Sequence, residues 1–204
     1  FCGRNYNARY PWKAAAPGNA AFERIFAGVP TDRECTFSFS GGLEPLTNPA
    51  FGEVVRSAKR HGIRVPLITN AFMLSAPYVA KQPGVWDLDS LRVSLYGVDD
   101  ASYQRVTQVQ GAFSQVKANL ISFLRLRNER GSPLKVGLNF IILRGCTAQV
   151  LRVLDLIAEI RRAVGGPGID FLSLREDFSV PESARLLPEE RAQLIEVFRI
   201  FRTR

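Results

Sequence analysis

The chain has 204 residues, of which 46% are hydrophobic and 23% charged, and its formal net charge is +8. A chain of this length can bury one substantial core, so we expect a single domain over residues 1–204. No apolar run approaches the roughly 18 residues needed to cross a bilayer, and the amino end lacks a signal-peptide pattern. We therefore expect no membrane partner and a cytoplasmic location.

The positive charge favours an anionic partner. The lysines and arginines are spread along the chain without a block of five or more, so nucleic acid is only weakly indicated. A phosphorylated or nucleotide-linked small molecule fits the charge equally well. Three scattered cysteines are too few for a disulfide framework and indicate a reducing compartment. The chain opens at Phe1-Cys2 without methionine and ends just after a helical pattern, so we expect a piece truncated at both ends.

Strand-like runs alternate with helical patterns from residue 35 onward. The predicted strands cover 35–40, 63–68, 91–95, 134–143 and 169–174, and the helical patterns fall near 49–61, 99–106, 113–124, 150–160 and 188–198. Asn48-Pro49 predicts the start of the first of these helices. Parallel strands need crossover helices, so this alternation predicts an α/β fold with a parallel sheet that curls into a full or partial barrel.

The unusual residues follow the predicted strands or lie within them, apart from Arg105, which lies in the helix after the third strand. In parallel α/β folds the functional site lies at the carboxyl ends of the strands, so these residues are the candidates for chemistry. Glycines let the backbone approach a ligand closely, and a carboxylate can accept from an ammonium group. The candidates are Gly41, Gly42, Glu44, Asn70, Ser94, Arg105, Asn139, Arg175, Glu176 and Asp177.

Five segments together resemble the motifs of radical S-adenosylmethionine (SAM) enzymes, in order and in spacing. Phe1-Cys2 resembles the end of the CxxxCxΦC motif, in which Φ is aromatic, and 40–45 resembles Gly-Gly-Glu-Pro with Leu43 inserted. The segment 67–70 resembles the Thr-Asn-Gly strand end, with Ala71 in place of glycine. The segments 92–97 and 136–140 resemble the family's fourth and fifth strands. The resemblance implies a partial parallel (β/α)6 TIM-like barrel of the radical SAM type. It also implies two cofactors, a 4Fe–4S cluster and S-adenosyl-L-methionine.

The same resemblance implies roles for single residues. Cys2 would be the third cluster cysteine, with the first two just before residue 1, and Phe1 would pack beside the adenine. Gly41, Gly42 and Glu44 would bind the methionyl amino group. The ribose and the methionine carboxylate would be held by Ser94, Arg105 and Asn139, and Asn70 would be a further cofactor-binding residue. An electron donor such as flavodoxin or ferredoxin would reduce the cluster, and the resulting 5′-deoxyadenosyl radical would abstract a substrate hydrogen.

Two segments bear on the substrate. The run 4–12 and the run 174–178 are similar to those of radical SAM ammonia-lyases that deaminate a TDP-linked 4-amino-4,6-dideoxyglucose. This likeness implies a small-molecule substrate, with Arg4, Arg9 and Arg175 binding it and Glu176 and Asp177 as catalytic carboxylates that meet its amine.

Other interpretations stay open. The enzyme could be a radical SAM maturase acting on a peptide or protein, or the chain could be a non-catalytic phosphate- or nucleic-acid-binding α/β domain. For single residues, Gly41-Gly42 could form a plain turn, Ser94 and Asn139 could be structural, Arg105 could lie on a solvated helix face, and 175–177 could be an ordinary polar loop.

Overall fold

The computed structural model describes residues 15–40, 43–176, 182 and 185–203. The helices are α1 (Ala15–Ala27), α2 (Phe51–Arg60), α3 (Ala76–Lys81), α4 (Asp100–Thr107), α5 (Ala112–Glu129), α6 (Gln149–Val164) and α7 (Pro188–Thr203). The strands are β1 (Pro66–Thr69), β2 (Ser90–Leu95), β3 (Lys135–Ile142) and β4 (Phe171–Glu176), and short 3₁₀ helices span Pro45–Thr47 and Pro83–Asp87. None of the described helices combines the length and the apolarity needed to cross a membrane.

The four strands form one parallel sheet in chain order, β1-β2-β3-β4, which confirms the predicted α/β fold. The predicted strand at 35–40 makes only two isolated parallel bridges, Thr36 with Arg64 and Phe39 with Leu67. It therefore extends the sheet beyond β1 without forming a regular ladder. Right-handed crossovers between sequential neighbours place the connecting helices on one side of the sheet.

The two faces of the sheet have different compositions, because successive strand residues point to opposite sides. One face is mostly buried and apolar, and it carries Leu67, Leu91, Val93, Val136 and Leu138, with Thr69 at its carboxyl end. The other, which we call the polar face, carries Ile68, Arg92, Ser94, Gly137, Asn139, Phe171 and Ser173. The apolar face is the one against which helices pack, so the polar face is available to line a site.

An aromatic cluster attaches α1 and α2 to the edge of the sheet. The rings of Phe22, Phe26, Phe37, Phe39 and Phe51 pack with centroids 5.1 to 5.9 Å apart, mostly edge to face. Such pairs contribute roughly 0.5 to 1.5 kcal/mol each beyond the area they bury. The cluster therefore holds the segment that precedes Ser40 in place.

Helix α2 begins later than the sequence predicts. Asn48-Pro49 was expected to start it, but the helix begins at Phe51. The physical reason is a local turn, because Asn48 Oδ1 accepts from the Ala50 N–H at 3.0 Å and so competes with helical hydrogen bonding.

A buried ion pair joins α5 to the loop before β4. Arg127, only 3% exposed, donates to Asp170 Oδ2 at 2.6 Å and to the carbonyls of Pro167 at 2.8 Å and Gly168 at 3.0 Å. Asp170 Oδ2 also accepts from the Val136 N–H at 2.8 Å, at the start of β3. This network fixes the amino ends of β3 and β4, the opposite edge from the candidate site.

We predict that Arg127→Ala lowers the free energy of unfolding by about 3 kcal/mol, because the partly buried Asp170 carboxylate loses its buried ion-pair partner and the Pro167 and Gly168 carbonyls each lose a donor. Urea unfolding would measure the loss. Arg33→Ala is the control: Arg33 also pairs with an aspartate, but its side chain is 69% exposed, so we expect a change within about 0.5 kcal/mol. Equal effects of the two substitutions would contradict the prediction.

Candidate active site

A single carboxylate ties the loop after the first predicted strand to the end of β1. Glu44 Oε1 accepts from the Thr69 hydroxyl at 2.6 Å and the Leu46 N–H at 3.1 Å, and Oε2 accepts from the Asn70 N–H at 2.8 Å. A carboxylate offers about four acceptor positions, so about one remains for a ligand. Glu44 therefore holds its own loop against the end of β1, and one acceptor position of its carboxylate remains for an ammonium group.

The turn that follows β1 adopts a conformation that favours glycine. Ala71 has φ of +58°, and its side chain is fully buried. Thr69 Oγ1 accepts from the Ala71 N–H and Asn70 Oδ1 from the Phe72 N–H, both at 2.9 Å. A left-handed non-glycine residue costs roughly 1 kcal/mol, which these bonds offset. The alanine thus adopts the conformation that suits the glycine of the Thr-Asn-Gly motif.

Asn119 holds the same turn from the helix side. This residue of α5 is 5% exposed, and its Nδ2 donates to the carbonyl of Phe72 at 2.7 Å and of Ala71 at 3.1 Å. The sequence interpretation did not single it out. A signal existed, because Asn119 is a polar residue within the apolar stripe of Val116 and Leu120.

Ser94 and Asn139 lie side by side on the polar face. They are direct partners in the β2–β3 register, and Asn139 pairs in turn with Ser173 of β4. Ser94 is 8% and Asn139 4% exposed, and Asn139 Oδ1 is buried without a hydrogen-bond partner among the described residues. An unpaired buried acceptor costs about 1 to 3 kcal/mol, so this oxygen is suited to a donor on a ligand.

Asn70 and Glu44 join this row at the carboxyl edge. Thr69 is the register partner of Val93, so Asn70 follows at the level of Ser94. The structure therefore brings together four of the predicted cofactor residues: Glu44, Asn70, Ser94 and Asn139.

Two tyrosines, the buried Tyr103 and the partly buried Tyr78, lie close enough to Glu44 to experience its charge. Burial raises the pKa of Tyr78 and of Tyr103, and the negative charge of Glu44 raises both further, with Tyr96 contributing at Tyr103. Both phenols therefore stay neutral over the physiological range. The Tyr78 hydroxyl is buried and has no hydrogen-bond partner in the described part of the chain.

Three other predicted site residues lie apart from the row. Arg105 is exposed on α4, and no hydrogen bond or ion pair links its guanidinium to the described residues. Arg175 is exposed at the end of β4, on the polar side of its strand. Glu176 points to the opposite side, accepts from Arg191 at 2.9 Å and from the Leu186 N–H at 3.1 Å, and so attaches α7. The bond from Arg191, with that of Leu186, lowers the pKa of Glu176.

The remaining predicted residues lie outside the described residues: Phe1, Cys2, Arg4, Arg9, Gly41, Gly42 and Asp177. Cys35 and Cys146 are partly exposed thiols. Within the described ranges no group of three or more His, Cys, Asp or Glu side chains could hold a metal ion. The assignment of Cys2 as a cluster ligand stays a prediction.

Comparison with known proteins bears on this site. The chain is 41% identical over all 204 residues to the dTDP-4-amino-4,6-dideoxy-D-glucose ammonia-lyase of Streptomyces venezuelae, of which it covers 42%. It is 30% identical over 122 residues to the PqqA peptide cyclase of Gluconobacter oxydans, covering 60% of this chain and 32% of that protein. No family model matches.

A solved structure extends the comparison to the fold. Streptococcus suis SuiB bound to S-adenosylmethionine superposes with a TM-score of 0.63 at 18% identity, over 91% of this chain and 40% of that one. The predicted partial-barrel fold is thus confirmed. The chain spans about two fifths of the length of the ammonia-lyase it matches.

We predict that Asn119→Ala loosens the Thr69–Phe72 turn, because the Phe72 carbonyl loses its side-chain donor and the Ala71 carbonyl keeps only the Leu74 N–H. Amide hydrogen exchange of residues 70–74 should accelerate by at least about 10-fold relative to the wild type. Val116→Ala, which truncates a side chain that is 1% exposed on the same helix, is the control. It should lower global stability and leave the turn's exchange relative to the rest of the sheet unchanged; the same local acceleration in both variants would refute a positioning role.

Proposed function

We propose that this chain is the SAM-binding core of a radical SAM ammonia-lyase that acts on a nucleotide-linked amino sugar. The observation that carries the proposal is the buried, unpartnered Oδ1 of Asn139 beside Ser94 at the carboxyl edge of the sheet. This is the edge at which parallel α/β folds bind ligands. The identity along the whole chain to the Streptomyces venezuelae ammonia-lyase supports the choice of reaction.

The residues present fit SAM. A ribose hydroxyl is the donor that Asn139 Oδ1 lacks, and Ser94 adds a second polar group in the same row. The remaining acceptor position of Glu44 suits the methionyl ammonium, and Asn70 completes this end. We propose that Arg105 binds the methionine carboxylate, as the guanidinium geometry favours.

A 4Fe–4S cluster is the second proposed cofactor, with Cys2 as one of its thiolate ligands. With both groups bound, the cluster and SAM would supply the radical chemistry that removes a hydrogen atom from the substrate. The chain's own contribution is to orient the ribose through Asn139 and Ser94 and to keep the turn after β1 rigid through Glu44 and Asn119.

The substrate assignment draws on charge and on the relative. The net charge of +8 suits a nucleotide-linked anion, and Arg175, exposed on the polar side of β4, could bind it together with Arg4 and Arg9. Glu176 and Asp177 remain the proposed carboxylates for the substrate amine. Because Glu176 already pairs with Arg191, a catalytic role for it would require that ion pair to open.

A second candidate is a peptide or protein maturase. The likeness to the PqqA peptide cyclase over 122 residues favours it. Both candidates share the cofactors and differ in what receives the radical. A non-catalytic phosphate- or nucleic-acid-binding domain would leave the unpartnered Asn139 oxygen without a purpose.

We predict that the full-length protein forms 5′-deoxyadenosine when it is reconstituted anaerobically with iron and sulfide, reduced and given SAM. A chemical reductant replaces the proposed flavodoxin or ferredoxin. Adding the TDP-linked amino sugar should increase the nucleoside and release ammonia in step with it. If 5′-deoxyadenosine forms but its amount does not change when the sugar is added, the proposed radical SAM core is supported and the proposed sugar substrate is contradicted.

Two variants make this assay specific to the site. Asn139→Leu keeps the branching of the side chain but removes the acceptor, so nucleoside formation should fall about 10-fold or more, with or without the sugar. Phe140→Leu changes the next residue of the same strand, on the apolar face, and should retain nucleoside formation. Equal loss in the two variants, or no cluster and no nucleoside in folded wild type, would contradict the proposal.

A further inference from the structure

Three residues form a second row across the polar face, two positions before the row of Ser94 and Asn139. Arg92, Gly137 and Phe171 are successive partners in the register of β2, β3 and β4. A Cβ added at Gly137 would overlap the Phe171 ring. The glycine therefore gives the ring room to lie across β3.

The Phe171 ring contacts the guanidinium of Arg92. The guanidinium carbon of Arg92 lies 5.4 Å from the centroid of that ring, within the range of a cation–π contact. Stacking on a ring that is itself confined restricts the long arginine side chain before any ligand arrives. A preorganised group loses less conformational entropy on binding, so this arrangement suits recognition.

Arg92 differs from three other partly or fully buried cations of the described chain in forming no ion pair with a carboxylate. Arg127 pairs with Asp170, Lys59 with Asp89 and Lys117 with Glu159. Arg92 is half-buried, yet among the described residues no carboxylate forms an ion pair with it. A half-buried guanidinium without a carboxylate partner can pair with an anionic group of a ligand.

We propose that Arg92 is the specificity-determining residue that binds the diphosphate of the nucleotide-linked substrate, on the shelf formed by Gly137 and Phe171. This inference rests on the proposed function, because it assigns the substrate's anionic group to a place on the same face. Two residues along a strand span about 6.6 Å, so a ligand at Arg92 can lie beside one at Ser94 and Asn139. A guanidinium can bind phosphate oxygens through two parallel hydrogen bonds, which a lysine cannot reproduce.

The test measures binding of TDP and of thymidine to the reconstituted full-length protein by calorimetry. Arg92→Gln should weaken TDP by about 10- to 100-fold and leave thymidine, which has no diphosphate, unchanged. Arg92→Lys keeps the charge and should recover only part of the TDP affinity. In turnover, Arg92→Gln should raise KM for the amino sugar by a similar factor, while nucleoside formation without sugar stays at the wild-type level.

Two further variants separate the shelf from general charge. Gly137→Ala retains Arg92 but displaces Phe171, so it should also weaken TDP and spare thymidine. Arg64→Gln removes a positive charge that is 58% exposed and paired with Glu34, and it should leave TDP affinity unchanged. Circular dichroism of each variant would establish that the sheet is intact.

The outcomes distinguish this inference from the function on which it rests. Wild type and Arg92→Gln binding TDP equally would overturn the role of Arg92 and leave the proposed function standing. Loss of SAM affinity with TDP unaffected would also overturn it, because the guanidinium would then serve the cofactor. A wild-type protein that binds no TDP and shows no response to the amino sugar would remove the sugar substrate and, with it, this inference.

Discussion

The site depends on the contact between the Glu44 carboxylate and the end of β1. By accepting from the Thr69 hydroxyl and the Asn70 N–H, this side chain joins two strand-end loops that are 25 residues apart in sequence. Asn119 satisfies the carbonyls of the same turn from the other side. Donors and acceptors of one short turn are thus fixed from opposite directions, which is the rigidity that a site for a reactive cofactor needs.

The alternation of side chains along parallel strands determines where chemistry can occur. Residues on one face pack against helices and must be apolar, so the polar residues of the same strands collect on the other face. In β2 and β3 this separation places Ser94 beside Asn139 and, two residues earlier on each strand, Arg92 beside Gly137. A cofactor and an anionic substrate can then occupy neighbouring rows of one surface, each facing side chains suited to its charge.

Much of the fold and of the candidate site could be predicted from the sequence. The features that could not be predicted depend mainly on contacts between residues far apart in the chain. Glu44 and Asn70 follow strands, Ser94 lies near the end of β2, and Asn139 lies within β3. Because the carboxyl ends of parallel strands meet at one edge, the proximity of the first three follows from chain order, and that of Asn139 follows from its register with Ser94. The Phe171 shelf depends on the register of β3 against β4, and the role of Asn119 depends on how α5 packs; neither is encoded locally. Helices α1 and α3 were not predicted from the sequence. Helix α3 has only six residues, too few for a periodic pattern, and α1 contains Pro17-Gly18, which resembles a turn. Glu176 illustrates the reverse case, because one position along β4 decides whether a side chain faces the site or α7.

The central claim is that the unpartnered oxygen of Asn139 is a cofactor contact. A crystal structure of the anaerobically reconstituted full-length protein with SAM tests it most directly. We expect a ribose hydroxyl of SAM within hydrogen-bond distance of Asn139 Oδ1, with Ser94 beside it. The Glu44 carboxylate should still accept from the Thr69 hydroxyl and the Asn70 N–H. SAM bound elsewhere, with Asn139 Oδ1 satisfied by water or by another protein group, would contradict the account.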